Sequence, residues 1–90
     1  MKIFFTKRFL KESKLLPFPK QKRLAELIES LRTNPFNSKL HTKKLSAPLT
    51  GVLSFRIGIE YRVLFIFTDK DTVKLIRVSH RKDIYKNSQF

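Results

Sequence analysis

Apolar residues change their spacing near residue 50, and the change divides the chain into a helical half and a strand half. Lys2 to Phe5 reads as a short strand. Thr6 follows as an N-cap, because its hydroxyl oxygen can accept an orphan N–H of a first helical turn. Lys7 to Leu16 then reads as a weak helix with Phe9, Leu10 and Leu16 as its apolar side. Pro17 and Pro19 end it, since each lacks an N–H and biases the preceding residue away from helix. Pro19 also suits the first turn of the next helix. There Leu24, Leu27, Ile28 and Leu31 recur at i, i+3, i+4 and i+7 as one stripe, and charged residues take most other positions. Thr33-Asn34-Pro35 ends this second helix.

Residues 34 to 50 lack periodicity and read as a loop carrying Lys39, His41, Lys43 and Lys44. From Gly51 the period becomes two, with Leu53, Phe55 and Ile57 alternating with Val52, Ser54 and Arg56. Gly58-Ile59-Glu60 is a hairpin connection, and Tyr61 to Phe67 is apolar enough for a central strand covered on both faces. Asp69-Lys70-Asp71 is a turn, Thr72 to Ser79 a further strand, and the polar tail from His80 to Phe90 a short helix or an irregular end. The order β-α-α-β-β-β predicts an α+β domain over residues 1–90. Its sheet is an antiparallel meander with two N-terminal helices packed on one face. The predicted core face is Leu53, Phe55, Ile57, Val63, Phe65 and Phe67.

Composition narrows the function classes. Ninety residues make one domain, and nine Phe with abundant Leu, Ile and Val can fill its core. Twenty Lys and Arg against seven Asp and Glu leave a formal charge of +13, whose self-repulsion calls for a polyanion or an acidic partner. The absence of cysteine excludes disulfides, thiolate nucleophiles and Cys-ligated zinc, and fits a reducing cytoplasm. No apolar run is long enough for a membrane helix, and the N-terminus lacks signal-peptide character. The expected location is cytoplasmic, with no membrane contact.

Three phrases in the second half resemble the RelE/ParE toxin superfamily: Ser54-Phe55-Arg56-Ile57-Gly58, Tyr61-Arg62-Val63-Leu64-Phe65, and Val78-Ser79-His80-Arg81-Lys82-Asp83-Ile84-Tyr85. The loop phrase Lys43-Lys44-Leu45, followed by Pro48-Leu49 and Gly51, and the order of elements fit the same family. The resemblance implies a toxin of a type II toxin–antitoxin system, neutralised by an acidic cognate antitoxin. RelE-like members are ribosome-dependent mRNA endonucleases; ParE-like members poison DNA gyrase on a similar scaffold. The ending His80-Arg81 with Tyr85 leans toward RelE, which makes the ribosome and mRNA the expected partners. A non-toxic basic RNA- or ribosome-binding module is the third reading. One departure stands out. Some RelE-like members carry lysines on the strand before the Tyr-Arg strand, where this chain has Leu53, Ser54 and Phe55, so a lysine base there does not apply and His80, or Lys43 or Lys44 of the loop, has to substitute.

The chemistry needed is modest. RNA cleaves itself when its 2′-hydroxyl is aligned on the adjacent phosphate, so a protein has to orient the attack, stabilise phosphate charge and move two protons. The acids have no spacing suited to a metal cluster, so no metal and no cofactor are expected. Arg62 is the first candidate for a phosphate clamp, set against a solvated Arg on an exposed sheet face. If Ile57 faces Tyr61, Arg56 lies opposite Arg62 as a further RNA contact. If Thr68 faces Thr72, Arg62 lies opposite Val78 and His80 shares its face, while Arg77 falls on the other parity. His80 is then the candidate general acid or base, set against a strand-end His bonded to backbone. Arg81 is a second phosphate contact or part of a basic tail, and Tyr85 stacks on a base, assists proton transfer or pins the tail. Lys43, Lys44 and Lys82 extend the basic surface toward RNA, and His41 reads as an ordinary loop residue.

Overall fold

Thr6 organises the first turn of the chain. In the computed structural model, which describes residues 1–85, its hydroxyl accepts from Phe9 N–H at 3.1 Å and donates to the Ile76 carbonyl at 3.0 Å. It thereby ends strand β1 (Lys2–Phe5) and starts helix α1 (Lys7–Ser13). Helix α2 (Phe18–Thr33) follows Pro17, with Pro19 inside its first turn. A 3-10 turn (Ser38–Leu40) then leads to the two-residue strand β2 (Lys43–Lys44). Strands β3 (Val52–Ile57), β4 (Tyr61–Asp69) and β5 (Thr72–His80) complete a five-stranded sheet in the order β1-β5-β4-β3-β2. All neighbours are antiparallel except β1 and β5.

The helices cover one face. Phe9, Leu16, Leu24, Leu27 and Leu31 pack on Leu53, Phe55, Ile57, Val63, Phe65, Val73 and Leu75, with Ile28 and Phe67 partly buried against them. The period-two reading of the core face and the helical stripe therefore hold.

Two expectations about the first half are corrected. Helix α1 stops at Ser13, before the expected Leu16, because Leu15 and Leu16 N–H bond back to Glu12 and Ser13 carbonyls in a closing turn. Leu16 reaches the core from that turn, whereas Leu10 is 45% exposed. The loop at 34–50 is also more than a connection. It supplies β2, it buries Leu40 completely, and its Leu45 and Leu49 cover Val52, Leu64, Ile66 and Ile76 on the sheet face away from the helices.

A β-bulge corrects the register. From Phe67↔Val73 to Phe65↔Leu75 the strands pair as a Thr68–Thr72 turn predicts, but Ile76 is then skipped and Leu64 pairs with Arg77. Beyond that point Arg62 faces Ser79, not Val78, and His80 faces Tyr61. One inserted residue sends each later side chain of β5 to the other face. The bulge falls where β1 has ended at Phe5: among the described residues the outer edge of β5 beyond Leu75 has no strand beside it and is met by side chains instead. Thr6 takes the Ile76 carbonyl, and Glu12 of α1 accepts the Val78 N–H at 3.2 Å.

Candidate functional site

The face away from the helices is apolar at one end and cationic at the other. Apolar cover comes from Leu45, Leu49 and the fully buried Ile84. At the other end a hollow of about 360 Å³ opens between β2, β3, β4 and the turn after β5. Arg56 and Arg62 line it as a cross-strand pair, Lys43 and Ser54 as the next pair outward, and His41, Arg81 and Tyr85 close it. Like charges directly opposite each other destabilise a sheet, so an Arg–Arg cross-strand pair is a feature that folding alone does not favour.

The turn after β5 brings in two of these groups. Arg81 N–H donates to the Glu60 carbonyl at 2.6 Å, and Asp83 and Ile84 N–H both donate to the His80 carbonyl. This curls the chain so that Ile84 plugs the apolar cover and Tyr85 emerges at the hollow. Arg77, left on this face by the bulge, holds the turn: its Nη1 donates to the Ile84 carbonyl at 3.0 Å, and its Nη2 meets Glu12 Oε2 at 2.9 Å.

Arg62 is oriented by backbone. Its Nη1 donates to the Ile59 carbonyl at 2.7 Å and the Tyr61 carbonyl at 3.2 Å. Burial, foremost, and then the charge of Arg56 hold its guanidinium below the ordinary arginine pKa. Tyr85 opposes this and Arg81 adds to it. The Arg56 Nε is buried and lacks a hydrogen-bond partner among the described residues. A cluster of guanidinium groups with an unmet buried donor is an arrangement that an anion completes.

Five of the residues singled out in the sequence thus converge: Arg56, Arg62, Arg81, Tyr85 and Lys43. Three do not line the hollow. His80 lies on the helix side beside Glu12, Leu15, Leu16 and Tyr61; its ring meets Tyr61 edge-on at 5.6 Å, and its Nδ1 accepts the Lys82 N–H at 3.1 Å. This is the backbone-bonded strand-end histidine of the alternative reading, and the shared face expected for His80 and Arg62 is corrected. Lys44 has the opposite parity to Lys43 on β2, and Lys82 is exposed in the turn. The histidine that lines the hollow is His41, in the left-handed conformation at φ 50° just after the 3-10 turn. No periodicity in residues 34 to 50 signals that placement; the sole cue was a histidine set among lysines.

Among the described residues no group of three or more His, Cys, Asp and Glu is placed to hold a metal ion. Nor is any helix among them long and apolar enough to cross a membrane.

Comparison with known proteins shows which family has this sequence and fold. The family model described as ParE toxin of type II toxin–antitoxin system, parDE, matches residues 3–85. The RelE1 chain of Methanocaldococcus jannaschii is 40% identical over 83 residues, covering 90% of this chain and 90% of that one. Toxin RelE3 of the same organism is 36% identical over 91 residues, covering 94% and 96% respectively. The fold superposes on the RelB–RelE antitoxin–toxin complex from Methanococcus jannaschii with a TM-score of 0.77 at 32% identity, over 96% of this chain and 99% of that one.

Proposed function

We propose that this chain, which belongs to the RelE/ParE superfamily and is a toxin of a type II toxin–antitoxin system, cuts messenger RNA on the ribosome and so stops translation. The observation that carries this reading is the hollow itself. Three guanidinium groups, an imidazole, an ammonium and a phenol line it, and among the described residues no carboxylate does. That set suits a phosphodiester and repels little of its charge.

In the reaction proposed, the 2′-hydroxyl of one nucleotide attacks its own 3′-phosphate. The new O2′–P bond forms as the P–O5′ bond breaks, leaving a 2′,3′-cyclic phosphate and a 5′-hydroxyl. Arg62 and Arg56 stabilise the charge that builds on the non-bridging oxygens, and Arg81 holds the strand. His41 and Tyr85 are the groups at the hollow suited to moving the two protons, and imidazole trades protons near neutrality. With His80 facing the helices, the proton-transfer role first read for it passes to His41. The ribosome presents the message, since so small a hollow cannot bend RNA into line by itself.

Primer extension on a translated message tests the assignment. Wild type is expected to cut, His41→Ala to cut about a hundredfold more slowly, and His80→Ala within about twofold of wild type. Loss of cutting in His80→Ala with full activity in His41→Ala would return the role to His80. A wild-type chain that cuts no message but arrests DNA replication establishes the gyrase-poisoning reading instead.

The partner implied is an acidic antitoxin. Relatives of this fold are known in complex with RelB. A charge of +13 should speed association with such a partner, so its on-rate is expected to fall at least tenfold between low and high salt, measured by stopped flow. A salt-independent on-rate refutes the electrostatic part of this proposal.

A further inference from the structure

Strand β2 pairs with Leu53 and Ser54, and among the described residues the edge of β3 from Phe55 to Ile57 carries no strand. A second hollow, of about 260 Å³, opens along this bare edge. Arg23 and Leu27 of α2, Lys39 of the 3-10 turn, and Gly58 and Ile59 of the β3–β4 hairpin surround it. His41 and Arg56 line both hollows, so the two are neighbouring compartments that share a wall.

The chemistry of the second compartment differs from that of the first. Cations sit on its rim, and its accessible apolar surface comes from Ile59, which is 68% exposed at the hairpin tip, while the buried Leu27 forms its floor. Among the described residues no carboxylate lines it; Arg23 meets Glu26 at 2.8 Å, but both side chains are about half exposed, and such a pair holds its partners weakly. Arg56 supplies the link, because its Nε is buried and without a hydrogen-bond partner among the described residues.

We propose that this second hollow is a nucleotide subsite, taking the RNA residue next to the one that is cut. Its phosphate lies among Arg23, Lys39 and Arg56, and its base or ribose lies on Ile59. The ligand class is single-stranded RNA: a cationic groove beside an apolar platform is the arrangement that tracks a phosphate backbone and seats a base. The inference rests on the reading of the first hollow as an RNA-cleaving site and extends it by one residue along the strand. Arg23 and Lys39 do not line the first hollow, so they contribute binding that is equal before and during the reaction.

The test uses the full chain and a fluorescent six-nucleotide RNA carrying 2′-O-methyl groups, which binds but cannot be cut. Affinity is measured by anisotropy over a range of salt for wild type, for Arg23→Ala/Lys39→Ala, and for Lys70→Ala/Lys74→Ala. The last pair removes the same charge at β5 and its turn, away from both hollows. The subsite pair is expected to bind about tenfold more weakly, with a salt slope lower by about 0.7, the release expected from one single-strand phosphate contact. The control pair should change less than twofold. On a translated message the subsite pair should raise KM and leave kcat unchanged. Equal effects of the two pairs on binding and KM, while the wild type still cuts, overturn the subsite and leave the cleavage reading standing. Subsite-dependent binding by a wild type that cuts nothing supports the subsite and refutes the cleavage reading. An equal loss of affinity for a poly-glutamate peptide assigns the hollow to anions in general and overturns the RNA proposal.

Discussion

Replacing Arg62 by Ala is expected to cut message cleavage about a hundredfold while leaving the fold at least as stable as before. The loss corresponds to ~3 kcal/mol, the scale of one transition-state hydrogen-bond donor removed from a preorganised site. Preorganisation is visible in the two backbone carbonyls, of Ile59 and Tyr61, that hold Nη1 and so aim the rest of the guanidinium. The stability half follows from electrostatics. Burial and Arg56 hold the folded-state pKa of Arg62 below its unfolded value, so the unfolded chain binds that proton more tightly. Folding therefore carries a penalty for the charge that is constant across neutral pH and lifts only in strong alkali. Alanine removes the penalty along with the function, the trade expected where a site is kept strained for activity. Primer extension with translated message gives the rate, and thermal unfolding gives the stability. A variant that cuts at the wild-type rate, or that melts well below wild type, contradicts the assignment.

Glu12→Ala is expected to have the largest effect on the fold, a loss of about 3 kcal/mol or more, because it takes the carboxylate away from a buried guanidinium. The Arg77 side chain is only 7% exposed, and Glu12 meets it at 2.9 Å while also accepting the Val78 N–H at 3.2 Å. Removal takes this carboxylate from the buried guanidinium and leaves a strand-edge donor unmet. For a domain of this size that corresponds to a fall in Tm of roughly 12 °C or more. Replacing both partners, as Glu12→Leu/Arg77→Met, should cost less than Glu12→Ala alone, since no uncompensated charge then remains. Function should suffer beyond stability. Arg77 also holds the Ile84 carbonyl, one residue before Tyr85, so Glu12→Ala should slow cleavage even at temperatures where the variant is folded. Calorimetry of the two variants, with cleavage assayed well below both transitions, separates the effects. A Tm change of only a few degrees in Glu12→Ala would sink the idea that this pair anchors the edge of β5.

The same pair explains where reading along the chain stopped. Glu12 is an unremarkable charged position in a weak helix pattern, and Arg77 sat at odds with strand parity. Neither had a role until α1 was laid along the edge that β1 leaves bare. The helical stripe of Leu24, Leu27, Ile28 and Leu31 and the alternation of Leu53, Phe55 and Ile57 were legible because each is set by the period of its own element. Arg56 opposite Arg62 was legible for the same reason, since the short β3–β4 hairpin sets that register locally.

His80 and His41 mark the limit. Their exchange of places depends on one bulged residue, Ile76, and on a loop that folds across the sheet to add two residues as β2. The second helix, the three C-terminal strands, the core face, the basic charge and the family phrases were legible along the chain, because periodicity and composition are local properties, whereas β2 and the end of the first helix were not. Tertiary structure alone decided which histidine meets the arginines, where Arg77 and Tyr85 come to rest, and that a second hollow adjoins the first. Those outcomes rest on strand edges and register between residues far apart in sequence, where a shift of one residue reverses the face and no local pattern records it.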